Sequence, residues 1–118
     1  MKIMIPFELT EKYIGDVLYT AFSGGSNYWI DSVKTIDNPH DDQYPSECVA
    51  KGGTIEVVDN EYYKAHILNA EIFAKGFQKY ADFCIKRGRE ICFNSGEVDA
   101  EISDIILQFT LFSDIIFG

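Results

Sequence analysis

The chain is predicted to be an α+β domain, a small antiparallel sheet packed by about three α-helices, on three observations. Apolar residues recur at helical spacing in three separate stretches. Between them lie short runs rich in β-branched and aromatic residues, bounded by Gly, Pro, Asn and Asp. At 118 residues with 47% apolar side chains, the chain buries roughly two-thirds of the surface its unfolded form exposes, enough for one core without metal or disulfide staples. Residues 1–118 are therefore read as a single domain.

Lys2 to Phe7 reads as a short strand interrupted by Pro6. Ile14, Val17, Leu18, Ala21 and Phe22 follow the i, i+3, i+4, i+7, i+8 pattern of an amphipathic helix, with Thr10 placed to cap it and Gly24-Gly25 placed to stop it. Tyr28 to Ile36 is aromatic and β-branched, a second strand. Asn38 to Pro45, with two prolines among polar residues, is a surface loop, and Ser46 to Lys51 forms a helical turn. Gly52-Gly53 then opens Thr54 to Val58, which Asp59-Asn60-Glu61 separates from Tyr62 to Leu68, a hairpin pattern. Asn69 caps a helix whose Phe73, Gly76, Phe77, Tyr80 and Cys84 share a face, and Lys86-Arg87 before Gly88 marks its end. Asp99 caps a last helix carrying Ile102, Ile105, Ile106 and Phe109, and Asp114 to Phe117 closes the chain as a β-like tail.

Ten Lys and Arg stand against 19 Asp and Glu, a net charge of -9. Affinity for a phosphate backbone comes mainly from clustered cations that release counterions, so free nucleic acid is a poor partner. Nine Phe, seven Tyr and one Trp argue against disorder. No stretch approaches ~20 uninterrupted apolar residues, and the first residues lack a signal-peptide pattern, so the expectation is a non-membrane protein inside the cell. Cys48, Cys84 and Cys92 form no C-x-x-C pair, which suits reduced thiols. No zinc-ligand spacing joins His40, Cys48, His66, Cys84 and Cys92, and no nucleophile motif accompanies Pro39-His40-Asp41-Asp42. The expectation is therefore a protein without metal, cofactor or catalysis.

Candidate binding residues fall in three places. Gly24-Gly25-Ser26-Asn27 has the composition of an anion-cradling backbone nest, or of a helix C-cap, and Tyr28-Trp29 beside it has rings that can stack a base or pack a core. Lys86-Arg87-Gly88-Arg89 holds both arginines of the chain and could grip a diphosphate or compensate a helix end. Asp104 and Gln108, four apart, share a helix face and are costly to bury unless hydrogen-bonded. Acidic residues gather at Asp37, Asp41, Asp42 and Glu47 and again at Glu97, Asp99, Glu101 and Asp104. A surface of that kind docks a basic partner.

The segment Ala21-Phe22-Ser23-Gly24-Gly25-Ser26-Asn27-Tyr28-Trp29, together with Asp99-Ala100-Glu101, Asp104, Leu107-Gln108, Leu111-Phe112 and Phe117-Gly118, resembles a family of small phage and prophage accessory proteins over nearly the whole chain. Among counter-defence proteins the nearest likeness is to the Thoeris anti-defence sponges, oligomeric binders that sequester a cyclic ADP-ribose-type signal without cleaving it. That resemblance implies a homo-oligomer in the host cytoplasm with Gly24, Ser26, Asn27, Tyr28 and Trp29 at the ligand and Arg87 or Arg89 on its diphosphate; Asp104 and Gln108 are added from their shared face. The alternative is an anti-CRISPR type of inhibitor whose acidic face covers the nucleic-acid channel of a defence effector. Charge favours the second reading.

Overall fold

Thr10 opens the first helix by accepting the backbone N–H of Tyr13 at 3.1 Å, one of the donors that a helix start leaves without an intrahelical partner. In the computed structural model, which describes residues 8–118, α1 spans Glu11–Thr20 and continues into a π-helical turn, Ala21–Gly25. Then come β1 (Ile30–Asp37), α2 (Pro45–Ala50), β2 (Thr54–Asp59), β3 (Ala65–Leu68), α3 (Ala70–Arg87), a 3₁₀ turn (Ser95–Glu97) and α4 (Ala100–Phe112). The fold is α+β, a three-stranded antiparallel sheet of order β1-β2-β3 packed by helices. The expected strand Lys2 to Phe7 lies outside the described residues.

The sheet's register explains which face carries the core. Val33 lies opposite Val57 and Val57 opposite His66, while Ile55 pairs with Leu68. Directly paired residues point to the same side, so this face brings the fully buried Ile55, Val57 and Leu68 together under the helices. Lys34, Glu56 and Ile67 take the opposite face, where Lys34 Nζ stands 3.7 Å from Glu56.

Helix α4 is the centre of the molecule: every residue from Ser103 to Thr110 is buried. Asp99 caps it through the N–H of Ile102 at 2.8 Å. Helix α3 packs closely on it because Gly76 faces Thr110, where a Cβ would collide with both backbone and side chain. Asn69 caps α3 as expected, and Gly88 ends it in the left-handed conformation (φ 64°).

Four details differ from the sequence reading, each because a hydrogen-bonding group finds a different partner. First, Gly24-Gly25 does not stop α1 with a left-handed residue, since neither glycine has positive φ; the helix widens instead, with Ser26 N–H reaching Ala21 O at 2.8 Å. Second, Tyr28 and Trp29 precede the strand, in a turn where Trp29 N–H returns to Ser26 O. Third, β3 begins at Ala65 rather than Tyr62, because the Asp59 carboxylate gathers the N–H groups of Glu61, Tyr62 and Lys64 into a turn. Fourth, Asp114 to Phe117 is no strand: the N–H groups of Ile116 and Phe117 bond the Gln108 side chain instead. Ser46 to Lys51, expected as a helical turn, falls on the short helix α2, which starts at Pro45 and ends at Ala50 with Lys51 as its C-cap.

Candidate functional site

The glycine-aromatic corner is built where the π turn meets α4. Gly25 has to be glycine, since a Cβ there would strike the carbonyl of Ala100. That close approach sets Ser26, Tyr28 and Trp29 over the face of α4 that carries Asp104 and Gln108. Asp104 Oδ1 accepts from Ser26 Oγ at 2.8 Å and from Trp29 Nε1 at 2.7 Å. Its Oδ2 accepts from Tyr28 OH at 2.6 Å and from Gln108 Nε2 at 3.2 Å. Gln108 Nε2 also donates to the carbonyl of Phe117 at 3.2 Å, and its Oε1 accepts from the N–H groups of Ile116 and Phe117, both at 2.8 Å. The ring of Phe117 stacks on Trp29 with centroids 5.1 Å apart and planes 5° from parallel, and Phe112 meets both rings edge-on or nearly so.

Five of the nine sequence-named residues, Ser26, Tyr28, Trp29, Asp104 and Gln108, thus form one network. Asp104 uses both oxygens on four donors and no cation, the arrangement that makes a buried carboxylate tolerable. Burial first, and then the hydrogen bond to Asp104 and its charge, push the Tyr28 phenol up to about 12, against a smaller opposing pull from Gln108. Tyr28 is still 52% exposed. Gly24 and Asn27 lie beside the network in the exposed turn. The N–H groups of Ser26 and Asn27 are already bonded to the carbonyls of Ala21 and Gly24, so they do not form the anion-cradling nest.

Arg87 and Arg89 stand apart from this corner. Both guanidinium groups lie over the ring of Phe83, at 5.1 and 5.8 Å from its centroid. Among the described residues no hydrogen bond or ion pair joins either arginine to residues 24–29, Asp104 or Gln108.

A second site emerges that the sequence reading did not assemble. Between α1 and α2 lies a cleft of about 350 Å³, lined by Glu11, Asp16 and Tyr19 from α1 and by Tyr44, Glu47 and Lys51 from around α2, among others. Tyr19 and Tyr44 meet edge-to-face at 5.9 Å while each stays about half exposed. Lys12 at 2.6 Å, and then Ser95 Oγ at 2.7 Å, hold the Asp16 carboxyl below its ordinary range. The Ser95 bond ties α1 to the 3₁₀ turn that leads to Glu97, Asp99 and Glu101, all exposed. Glu47 thus faces Glu11 and Asp16 across the cleft, which Lys12 and Lys51 also line, while Asp16 is bonded to the turn that leads to the second acidic group. Asp104 does not belong to that exposed group: it is 8% exposed and turned to the corner. The visible hint in the sequence was Glu11, Gly15 and Tyr19 at spacing four, which places an acid, a gap and an aromatic ring on one helix face.

Among the described residues no group of three or more His, Cys, Asp or Glu side chains is arranged to hold a metal ion, and no helix is long and apolar enough to cross a membrane. Compared with protein-family models, curated proteins and solved structures, the chain matches none.

Proposed function

We propose that the protein is a non-catalytic binding module that takes a basic segment of a partner protein onto the acidic surface running from the α1–α2 cleft to the start of α4. One observation carries this reading: Glu11, Asp16 and Glu47 outnumber Lys12 and Lys51 in one cleft, and Asp16 bonds Ser95 in the turn that leads to the exposed Glu97, Asp99 and Glu101, in a molecule of net charge -9. Tyr19 and Tyr44 on the rim add ring faces that attract Lys or Arg. Opposite charge speeds encounter and discriminates against acidic partners. With the phage-family resemblance, the partner class is a defence effector whose basic nucleic-acid channel the module covers.

The probe for this reading is a synthetic arginine-rich peptide titrated into the protein at several salt concentrations. Affinity is expected to fall steadily with salt, and the combined change Glu47→Gln, Glu97→Gln and Glu101→Gln to weaken binding about tenfold or more, on the order of 0.5 kcal/mol for each exposed charge. Binding that ignores both salt and these substitutions rejects the reading.

A second reading, sequestration of a cyclic nucleotide at the corner, draws on the half-exposed ring of Tyr28. It requires Asp104 and Gln108 to release partners they already hold. Protein purified from infected cells would then retain a small molecule in its native mass spectrum and yield it intact on heating. A cleaved product would assign the protein to the enzymes.

A further inference from the structure

The last residues are held differently from the rest of the fold. Ser113 turns the chain back at the end of α4 with φ 61°, and Lys79 Nζ bonds its hydroxyl at 2.5 Å. The returning segment then joins no sheet. Gln108 engages it through three backbone hydrogen bonds, and a single ring, Phe117, stacks on Trp29 and meets the edge-on ring of Phe112. Ile115 and Ile116, the apolar side chains just before that ring, remain 37% and 55% exposed. Backbone groups read by a fixed polar side chain, with one ring seated beside them, are the kind of contact by which recognition sites hold a peptide.

Groups outside the segment also hold the residues that contact it. Asp104 orients Trp29 through Nε1 and Gln108 through Nε2, and Phe112 belongs to α4 itself. We propose that Trp29, Phe112 and Gln108 form a peptide-recognition cradle for a short turned segment whose two consecutive backbone N–H groups converge on one acceptor beside an aromatic ring, with Ile116-Phe117 as its internal, displaceable occupant. The same segment supplied from another molecule fits the cradle equally well. In the intact chain it has to compete with a tethered copy whose effective concentration is in the millimolar range, so the cradle is closed to weak external ligands until the strap lifts.

The test uses the full chain and a capped peptide of sequence Asp-Ile-Ile-Phe-Gly, with the fluorescence of Trp29, the chain's one tryptophan, as readout. Phe117→Ala empties the ring slot and is expected to bind the peptide at least tenfold more tightly than the unaltered protein, while the peptide carrying the same substitution does not bind. Equal affinity of both proteins, or no binding by folded Phe117→Ala, overturns the proposal. Should that variant not fold, amide exchange in the unaltered protein decides. The amides of Ile116 and Phe117 are expected to open on the order of 100-fold more often than that of Ile106 in the centre of α4, because local opening needs less free energy than global unfolding. Exchange of all three at one common rate overturns it.

Discussion

Asp104 shows how one residue decides the use of its neighbours. A buried carboxylate surrounded by four neutral donors is stable only while every donor points inward, so the polar groups of Ser26, Tyr28, Trp29 and Gln108 are held by it, even where the Tyr28 ring stays half exposed. Asp104→Asn turns one acceptor oxygen into an N–H₂ group facing donors, and is expected to lower the unfolding free energy by about 3 kcal/mol in urea denaturation. The same variant reports on Tyr28. Burial, and then Asp104, push its phenol up from the ordinary 10.0 to about 12 in the fold, so the folded state keeps this proton where the unfolded state loses it. That contribution is complete below pH 10 and is lost as pH rises towards 12. Without the carboxylate charge, the absorbance titration of Tyr28 is expected to move back towards 10, and an unmoved titration would assign the shift to burial alone. The sequence showed that Asp104 and Gln108 share a face and need partners. It did not show that those partners would be Tyr28, Trp29 and the returning tail, because these lie about 75 residues away or beyond the end of the helix.

At the scale of elements, helices were legible because caps and periodicity are local. Thr10, Asn69 and Asp99 each accept the N–H three residues on, as their positions before the apolar repeats required. Strand limits were less legible. Tyr62 and Tyr63 have strong strand propensity, yet Asp59 takes the backbone donors of that turn, and Tyr63 adopts a left-handed φ of 54°. Propensity yields where a buried acceptor offers better hydrogen bonds. The contact of α3 with α4 is the element-level feature most sensitive to one atom group. Gly76→Ala places a methyl against Thr110, and overpacking of this kind is expected to cost about 1–3 kcal/mol despite the higher helix propensity of alanine. A thermal melt that rises instead of falling would mean the two helices can separate without loss.

For the whole molecule, charge is the governing property. A net charge of -9 on 118 residues makes the folded chain repel itself, and four Lys–carboxylate pairs among the described residues answer only part of it. Raising salt from low to about 0.5 M is therefore expected to increase the unfolding free energy by roughly 1 kcal/mol through screening; a decrease would show that the exposed pairs outweigh the repulsion. The sequence by itself determined the α+β class, the caps, the acidic balance and the need of Asp104 and Gln108 for partners, because each follows from composition or from neighbours within one helical turn. Only the tertiary structure decided that the corner's polar groups face one another, that both arginines rest on Phe83, and that acids from α1 and α2 line one cleft. Those outcomes rest on contacts between residues far apart in the chain, and a one-dimensional pattern carries no distance between them.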